Sequence, residues 1–322
     1  MLYSITTVKE SKMTKTQVTK INNEVNAAVK EGSLIVCTFA EFKEICPTLE
    51  ASAMPYAFNI TDLKESDVQS TRGSHYNYEA SLQTTMRDVK SGVLLDLSAT
   101  HWPSGVTDMT CTFEGCTSLT TAPVIPDSVT NMYSTFYDCT SLTTAPEIPN
   151  SVTDMSYTFS GCASLTTAPV IPNSVTSMEG TFNNCTSLTT APEIPDSVTE
   201  MYYTFSGCAS LTMAPNIPDG VTNMEGTFNG CTSLTIVPNI PNSVTDMNYT
   251  FDGCTSLKEI TAWNKTTDIK GSLFKSSCFE NCTSLESIYV PAGTKPDWEA
   301  WFVCDYDWPS NVSRVDVVKE QN

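Results

Sequence analysis

Seven cysteines, Cys116, Cys139, Cys162, Cys185, Cys208, Cys231 and Cys254, recur at an unvarying interval of 23 residues. Thiolates in series are metal-ligand and redox material. A zinc site, however, needs about four ligands converging at roughly 2.3 Å, whereas one cysteine per period of a stacked repeat forms a line with about 4.8 Å between neighbours. The series therefore reads as buried packing. Cys278, Cys282 and Cys304 match no strong zinc motif, so no metal or other cofactor is expected. Glu147 and Glu193 occupy equivalent positions two periods apart, about 9.6 Å in a stack, near the carboxylate separation of inverting glycosidases. Any equivalent pair shares that separation, and a polysaccharide lyase would want a basic residue, of which none occurs between Lys90 and Lys258. Polysaccharide cleavage is the weaker alternative. The two histidines, His75 and His101, lie in no recognisable nucleophile motif. The expectation is a protein that binds rather than catalyses.

Candidate binding residues are those that vary while the repeat frame stays fixed. Two follow each methionine of the series Met109, Met132, Met155, Met178, Met201, Met224 and Met247: Thr110 and Cys111, Tyr133 and Ser134, Ser156 and Tyr157, Glu179 and Gly180, Tyr202 and Tyr203, Glu225 and Gly226, Asn248 and Tyr249. A third follows each phenylalanine: Glu114, Tyr137, Ser160, Asn183, Ser206, Asn229 and Asp252. Positions free to change are expected to face solvent. Exposed tyrosine among acids and amides suits stacking on a sugar with hydrogen bonds to its hydroxyls, or a protein partner. The ligand-binding candidates are Tyr133, Tyr137, Tyr157, Glu179, Tyr202, Tyr203 and Tyr249. Surface drift among repeats without a ligand is the competing explanation. Threonine columns such as Thr120, Thr143, Thr166 and Thr189 raise ice binding as another, although threonine is also a good exposed strand residue.

The elements that must position these residues follow from the repeat. Reading from Met132, Phe136 comes four residues on, Cys139 seven and Leu142 ten, and Met155 begins the unit again; seven units run without an insertion. So strict a period implies stacked coils. The i, i+3 spacing of Phe136 and Cys139 places both on the inner side of one short helical turn. Before each cysteine stands Gly115, Asp138, Gly161, Asn184, Gly207, Gly230 or Gly253, residue types that tolerate positive φ. Two prolines per unit, such as Pro146 and Pro149, exclude continuous helix and predict an extended stretch over Leu142 to Ile148. Stacking gives Met, Phe, Cys, Leu, Ile and Val each an internal ladder, in a rod of eight or nine coils about 40 Å long. Leu94 to Pro103 reads as a first, altered coil. After Leu257 the period lengthens to 28, Phe279, Cys282 and Leu285 restore the signature once, and the Trp298, Trp301 and Trp308 cluster suits a cap.

The pattern Phe-x-x-Cys-Thr-Ser-Leu, then Pro-x-Ile-Pro and Ser-Val-Thr-x-Met, with the ending Ile288-Tyr289-Val290-Pro291-Ala292-Gly293-Thr294, resembles the BspA-like (Treponema-type) leucine-rich repeat family over about two thirds of the chain. Here Met stands where that family usually has Ile, and Ala-Pro-x-Ile-Pro replaces Ile-x-Ile-Pro. The resemblance implies a leucine-rich-repeat solenoid of stacked 23-residue coils with parallel strands and short helical turns. It also implies adhesion at a cell surface, with a glycan or a protein as partner.

Residues 1–92 lack the repeat and hold ten of the seventeen basic side chains. They are expected to form a small α/β module that caps the solenoid or attaches it to a larger assembly. Val18, Ile21, Val25 and Val29 predict an amphipathic helix from Thr14 to Glu31, Ser33 to Thr38 a strand, and Tyr78 to Val89 a second helix. The remaining boundaries are 93–257 for the solenoid and 258–322 for the degenerate last repeat and cap. Fifteen Asp and Glu against no Lys or Arg between positions 90 and 258 disfavour nucleic acid and anionic lipid. No stretch is long and apolar enough to span a bilayer, and the first residues do not read as a signal peptide. An adhesin-like solenoid without a visible leader fits a virion host-recognition component as well as a cell-surface protein. A purely structural scaffold is the alternative.

Overall fold

A computed structural model describes residues 2–4, 25, 34–49, 51, 55–68, 81–89, 92–100, 102–237, 239–260, 278–291 and 318–321. The expected helix over 14–31, apart from helical, buried Val25, lies outside these residues, as do His75, His101, Cys304 and the three tryptophans near the C-terminus.

Parallel strands β1 (Leu2–Ser4), β2 (Leu34–Cys37), β3 (Tyr56–Ile60), β4 (Leu95–Asp96) and β5 (Leu119–Thr121) form one sheet in that order. Their pairing, Ile35 on Phe58, Tyr56 on Leu95 and Leu95 on Leu119, leads from the non-repetitive segment into the first coils, with a register shift between Leu95 and Asp96. Three short helices flank these strands: α1 (Phe39–Ile45), α2 (Glu65–Val68) and α3 (Ser81–Arg87). Thr38 and Glu41 form a reciprocal capping box on α1. Thr112 Oγ1 donates to Val68 O at 3.3 Å, and Gln83 Nε2 to Glu114 O at 3.2 Å, so α2 and α3 each meet the first full coil.

Within each coil the main chain turns by short i to i−3 bonds: Thr135 N to Met132 O, Tyr137 N to Ser134 O, Cys139 N to Phe136 O, Leu142 N to Cys139 O. Alternate amides point along the axis instead. Ser134, Phe136 and Asp138 donate to Ser156, Thr158 and Ser160 of the next coil at 2.7–2.9 Å. This alternation needs left-handed backbone at two places. One is the residue before cysteine, as the sequence requires: Gly115, Asp138, Gly161, Asn184, Gly207, Gly230 and Gly253 all have φ between +55° and +76°. The other is the second residue after methionine, Cys111, Ser134, Tyr157, Gly180, Tyr203, Gly226 and Tyr249, with φ between +51° and +59°.

The extended stretch is tied to its neighbours by isolated parallel bridges, Thr121 to Thr144, Thr167 to Thr190 and Met213 to Ile236, and a second ladder joins Asp108, Asn131, Asp154, Ser177, Glu200, Asn223 and Asp246. Eight phenylalanine rings, Phe113 to Phe279, stack down the core with centroids 5.2–5.8 Å apart and planes within 9° of parallel. Trp102 closes the N-terminal end of that column edge-on to Phe113. At the other end the longer last period still delivers Phe279 onto Phe251, and β6 (Glu259–Ile260), β7 (Ser287–Pro291) and β8 (Val318–Gln321) form a second parallel sheet.

Two invariant polar side chains per coil, Cys and Thr, point into the core, and a half-buried Ser in most coils, replaced by Gly220 in one, joins them in donating to main-chain carbonyls of the preceding coil. Cys162 Sγ donates to Phe136 O at 3.2 Å, Thr158 Oγ1 to Met132 O at 2.8 Å, and Ser174 Oγ to Val152 O at 2.6 Å; the cysteine and threonine bonds recur at six or more coil junctions. The cysteine and threonine donors give a second hydrogen bond to carbonyls that already accept an amide of their own coil, as Met132 O does from Thr135 N and Phe136 O from Cys139 N, each worth about 1 kcal/mol. The cysteine ladder is thus a hydrogen-bonding ladder as well as packing. Cys139, Cys162, Cys185 and their equivalents are buried with thiol pKa values pushed up by burial. Among the described residues no three metal-ligating side chains converge.

Candidate functional site

The turn that carries the variable positions is less open than their variability suggests. Thr110, Cys111, Ser134, Ser156, Ser160 and Ser206 are buried. The expectation that variable residues face solvent therefore fails at these places, because the turn is covered by side chains of the neighbouring coil. Variation there is coupled between coils.

The coupling is visible at the second residue after methionine, where Tyr157, Gly180, Tyr203, Gly226 and Tyr249 alternate along the axis. A Cβ on Gly180 would overlap the ring of Tyr157, and one on Gly226 the ring of Tyr203. Tyrosine in one coil thus lies across the bare backbone of the next. The residue before cysteine alternates likewise as far as Gly207, where a Cβ on Gly161 would meet the carboxylate of Asp138 and one on Gly207 the amide of Asn184; beyond it Gly230 and Gly253 stack on glycine. The true repeat of this surface is two coils.

Six of the seven candidates, all but Tyr137, gather along this face. Tyr133, 39 % exposed, sits edge-on to Tyr157 with centroids 5.9 Å apart. Tyr157 Oη donates to Glu179 Oε1 at 2.7 Å, and burial, then that bond and the carboxylate's charge, raise its phenol pKa. Tyr202 packs edge-on to Tyr203 at 4.4 Å. Burial and then Glu225 and Glu179 raise the Tyr202 pKa; burial, Tyr202, Glu225 and Tyr249 raise that of Tyr203. Tyr137 has separate company: its pKa is raised first by Asp138, then by burial and Glu114.

The sequence reading missed Glu225, which stands two coils on from Glu179 with its charge acting on Tyr203, and whose own carboxyl pKa is raised by burial and by Asp246. The signal available was the strict alternation of Glu-Gly with Tyr-bearing coils. Glu147 and Glu193 are exposed elsewhere on the coil, and Glu193 lines a shallow groove of about 380 Å³ with Val170, Ile171 and Ile194.

The repeat geometry has a match among known families. The model of the BspA-type leucine-rich repeat region matches residues 96–212 and 179–296, in six copies. The chain belongs to this family. Solved structures similar to it include the leucine-rich repeat protein of T. pallidum, 29 % identical over 51 % of this chain and 77 % of that one, with a TM-score of 0.40. A leucine-rich repeat protein from Bacteroides ovatus is 22 % identical over 63 % of this chain and 60 % of its own, with a TM-score of 0.45. A leucine-rich cell surface protein from Faecalibacterium prausnitzii is 25 % identical over 53 % and 57 %, with a TM-score of 0.33. This chain spans less than two thirds of the last two. No curated protein matches it. The BspA-type solenoid read from the repeat is therefore the fold. Among the described residues no helix is long and apolar enough to cross a membrane.

Proposed function

We propose that this BspA-type repeat protein is a non-enzymatic binding protein that recognises a cell-surface glycan or protein through the turn face of its solenoid. Leucine-rich repeat proteins generally serve as protein-binding or adhesion scaffolds. The observation that carries the reading is the run of Tyr133, Tyr157, Glu179, Tyr202, Tyr203 and Tyr249 along one face, with Tyr133 edge-on to Tyr157, Tyr202 edge-on to Tyr203 and Glu179 bonded to Tyr157. Such rings offer amphipathic contact area at low entropic cost. The segment before Leu94 acts as a cap, a role supported by the pairing of β3 with β4, and it is also the natural place for attachment to a larger assembly. Exposure on a cell or a virus particle goes with adhesion.

The test replaces Tyr133 and Tyr202 by alanine, since neither ring fills space above a glycine. Binding to cells or glycan arrays should fall at least tenfold with thermal stability unchanged. Retained binding would show that this face is not the site and favour a purely structural scaffold. Fractionating native protein between cytosol, cell surface and particles tests the exposure.

A further inference from the structure

The binding face contains the same aromatic and acidic unit twice. Tyr157, Glu179 and Gly180 form one copy, in which the tyrosine hydroxyl donates to the glutamate, and Tyr203, Glu225 and Gly226 the other, in which Glu225 lies near enough for its charge to act on the Tyr203 phenol. In each, an edge of the tyrosine ring lies over the glycine of the next coil, and the glutamate precedes that glycine. Tyr202 adds a second ring to the later copy. Steps of 5.8 and 5.6 Å separate Phe159 from Phe182 and Phe182 from Phe205, so the two copies stand about 11 Å apart along the axis. No lysine or arginine occurs between positions 90 and 258, so no cation of the coils themselves neutralises the face.

A π-face beside a carboxylate is the environment a guanidinium fits best, because its plane stacks on the ring while its edge donates paired hydrogen bonds to the carboxylate. A neutral sugar would use the rings but not the net negative charge. On an α-helix, residues seven apart are separated by about 10.5 Å, which matches the spacing of the two copies. We propose that the partner recognised by this face is a helical protein segment presenting arginines seven residues apart, one seated at Tyr157 and Glu179 and the other at Tyr203 and Glu225. This rests on the turn face being the binding site, and goes further by naming the partner's chemistry.

The test titrates the full chain with an alanine-rich helical peptide carrying two arginines seven residues apart. Saturable binding is expected, weakening about tenfold when one arginine becomes glutamine, on Glu179→Gln or Glu225→Gln, and on Tyr202→Ala, as for desolvated cation–π and charge-assisted contacts. Tyr202→Phe should bind as the parent does. Glu147→Gln with Glu193→Gln, off this face, should change affinity less than twofold. Three results would overturn the proposal: no saturable binding, an equal loss with the Glu147 and Glu193 pair, or indifference to Tyr202→Ala. If a neutral oligosaccharide binds, and does so equally well after Glu179→Gln and Glu225→Gln while the peptide does not, the face is a sugar site and the cationic partner is wrong. If Tyr133→Ala with Tyr202→Ala affects neither ligand, the face itself is wrong.

Discussion

The ring of Tyr157 lies across the α-carbon of Gly180, and its hydroxyl donates to Glu179, the residue just before that glycine, at 2.7 Å. One side chain thus fixes what two positions of the next coil can be. Gly180 also has φ +54°, so Gly180→Ala carries two costs, about 1 kcal/mol for left-handed backbone and a steric term against the ring. Loss of about 2 kcal/mol or more is expected in denaturant unfolding. In a Tyr157→Ala background only the backbone part should remain, and equal losses in both backgrounds would dissolve the pairing.

The two-coil unit makes deletions unequal. Removing residues 178–223, two periods, would bring Tyr157 against Gly226 and keep the alternation, whereas removing 178–200 would set Tyr157 against Tyr203 with no glycine beneath. The larger deletion should unfold cooperatively at a temperature close to the parent's, and the smaller one lower, although it discards less core. The reverse order in calorimetry would mean that the coils are interchangeable.

Thr158 donates to Met132 O from a fully buried site. Thr158→Val keeps the shape and removes the donor while Met132 O keeps its bond from Thr135 N, so a loss of about 0.5–1.5 kcal/mol, the net worth of one hydrogen bond, is expected. Thr158→Ser, which retains the hydroxyl, should cost about 1 kcal/mol or less through one missing methyl. Comparison of the two midpoints separates bonding from packing.

Burial raises the Cys37, Cys231 and Cys282 thiols to about 12. A raised folded-state pKa keeps the proton on in the native protein while the unfolded chain releases it near 9.0. Stability is therefore full below pH 9 and falls as pH climbs from 9 towards 12, by about 1.4 kcal/mol per pH unit for each such thiol. Urea midpoints measured from pH 8 to 11 should decline. In native protein at pH 8 the ladder thiols Cys116 to Cys254 should resist alkylation, and their rapid labelling without unfolding would contradict the buried ladder.

On the turn face, burial and Asp246 raise the Glu225 carboxyl pKa. Its folded state favours the proton, so this group's contribution to stability is present at low pH and lost as pH rises through its folded value. Binding of the arginine peptide should move the opposite way, weakening as pH falls from 7 towards 4.5. Glu225→Gln should flatten that profile; an unchanged profile would place the titration elsewhere.

The non-repetitive segment was only partly legible. The strand over Ser33 to Thr38 and the helix within Tyr78 to Val89 are present as β2 and α3, because apolar patterning there is local. Strands β1 and β3 and helices α1 and α2 were not anticipated, and Tyr56 to Ile60 makes sense as a strand only with β2 and β4 on either side. That the segment continues the solenoid's own parallel sheet is a property of pairing, which no local pattern announces.

The 23-residue spacing by itself determined the coil, the core ladders and the left-handed residue before each cysteine, because a fixed period forces equivalent positions into equivalent environments. Only the tertiary structure decided which neighbour each side chain leans on. It turned invariant Cys and Thr, and a frequent Ser, into donors to the preceding coil, and it turned variation after methionine from free surface into interlocked tyrosine and glycine. The physical reason is contact range. The period of the chain is encoded along one coil, while the fit between Tyr157 and Gly180 exists only across the 23-residue step that stacking closes.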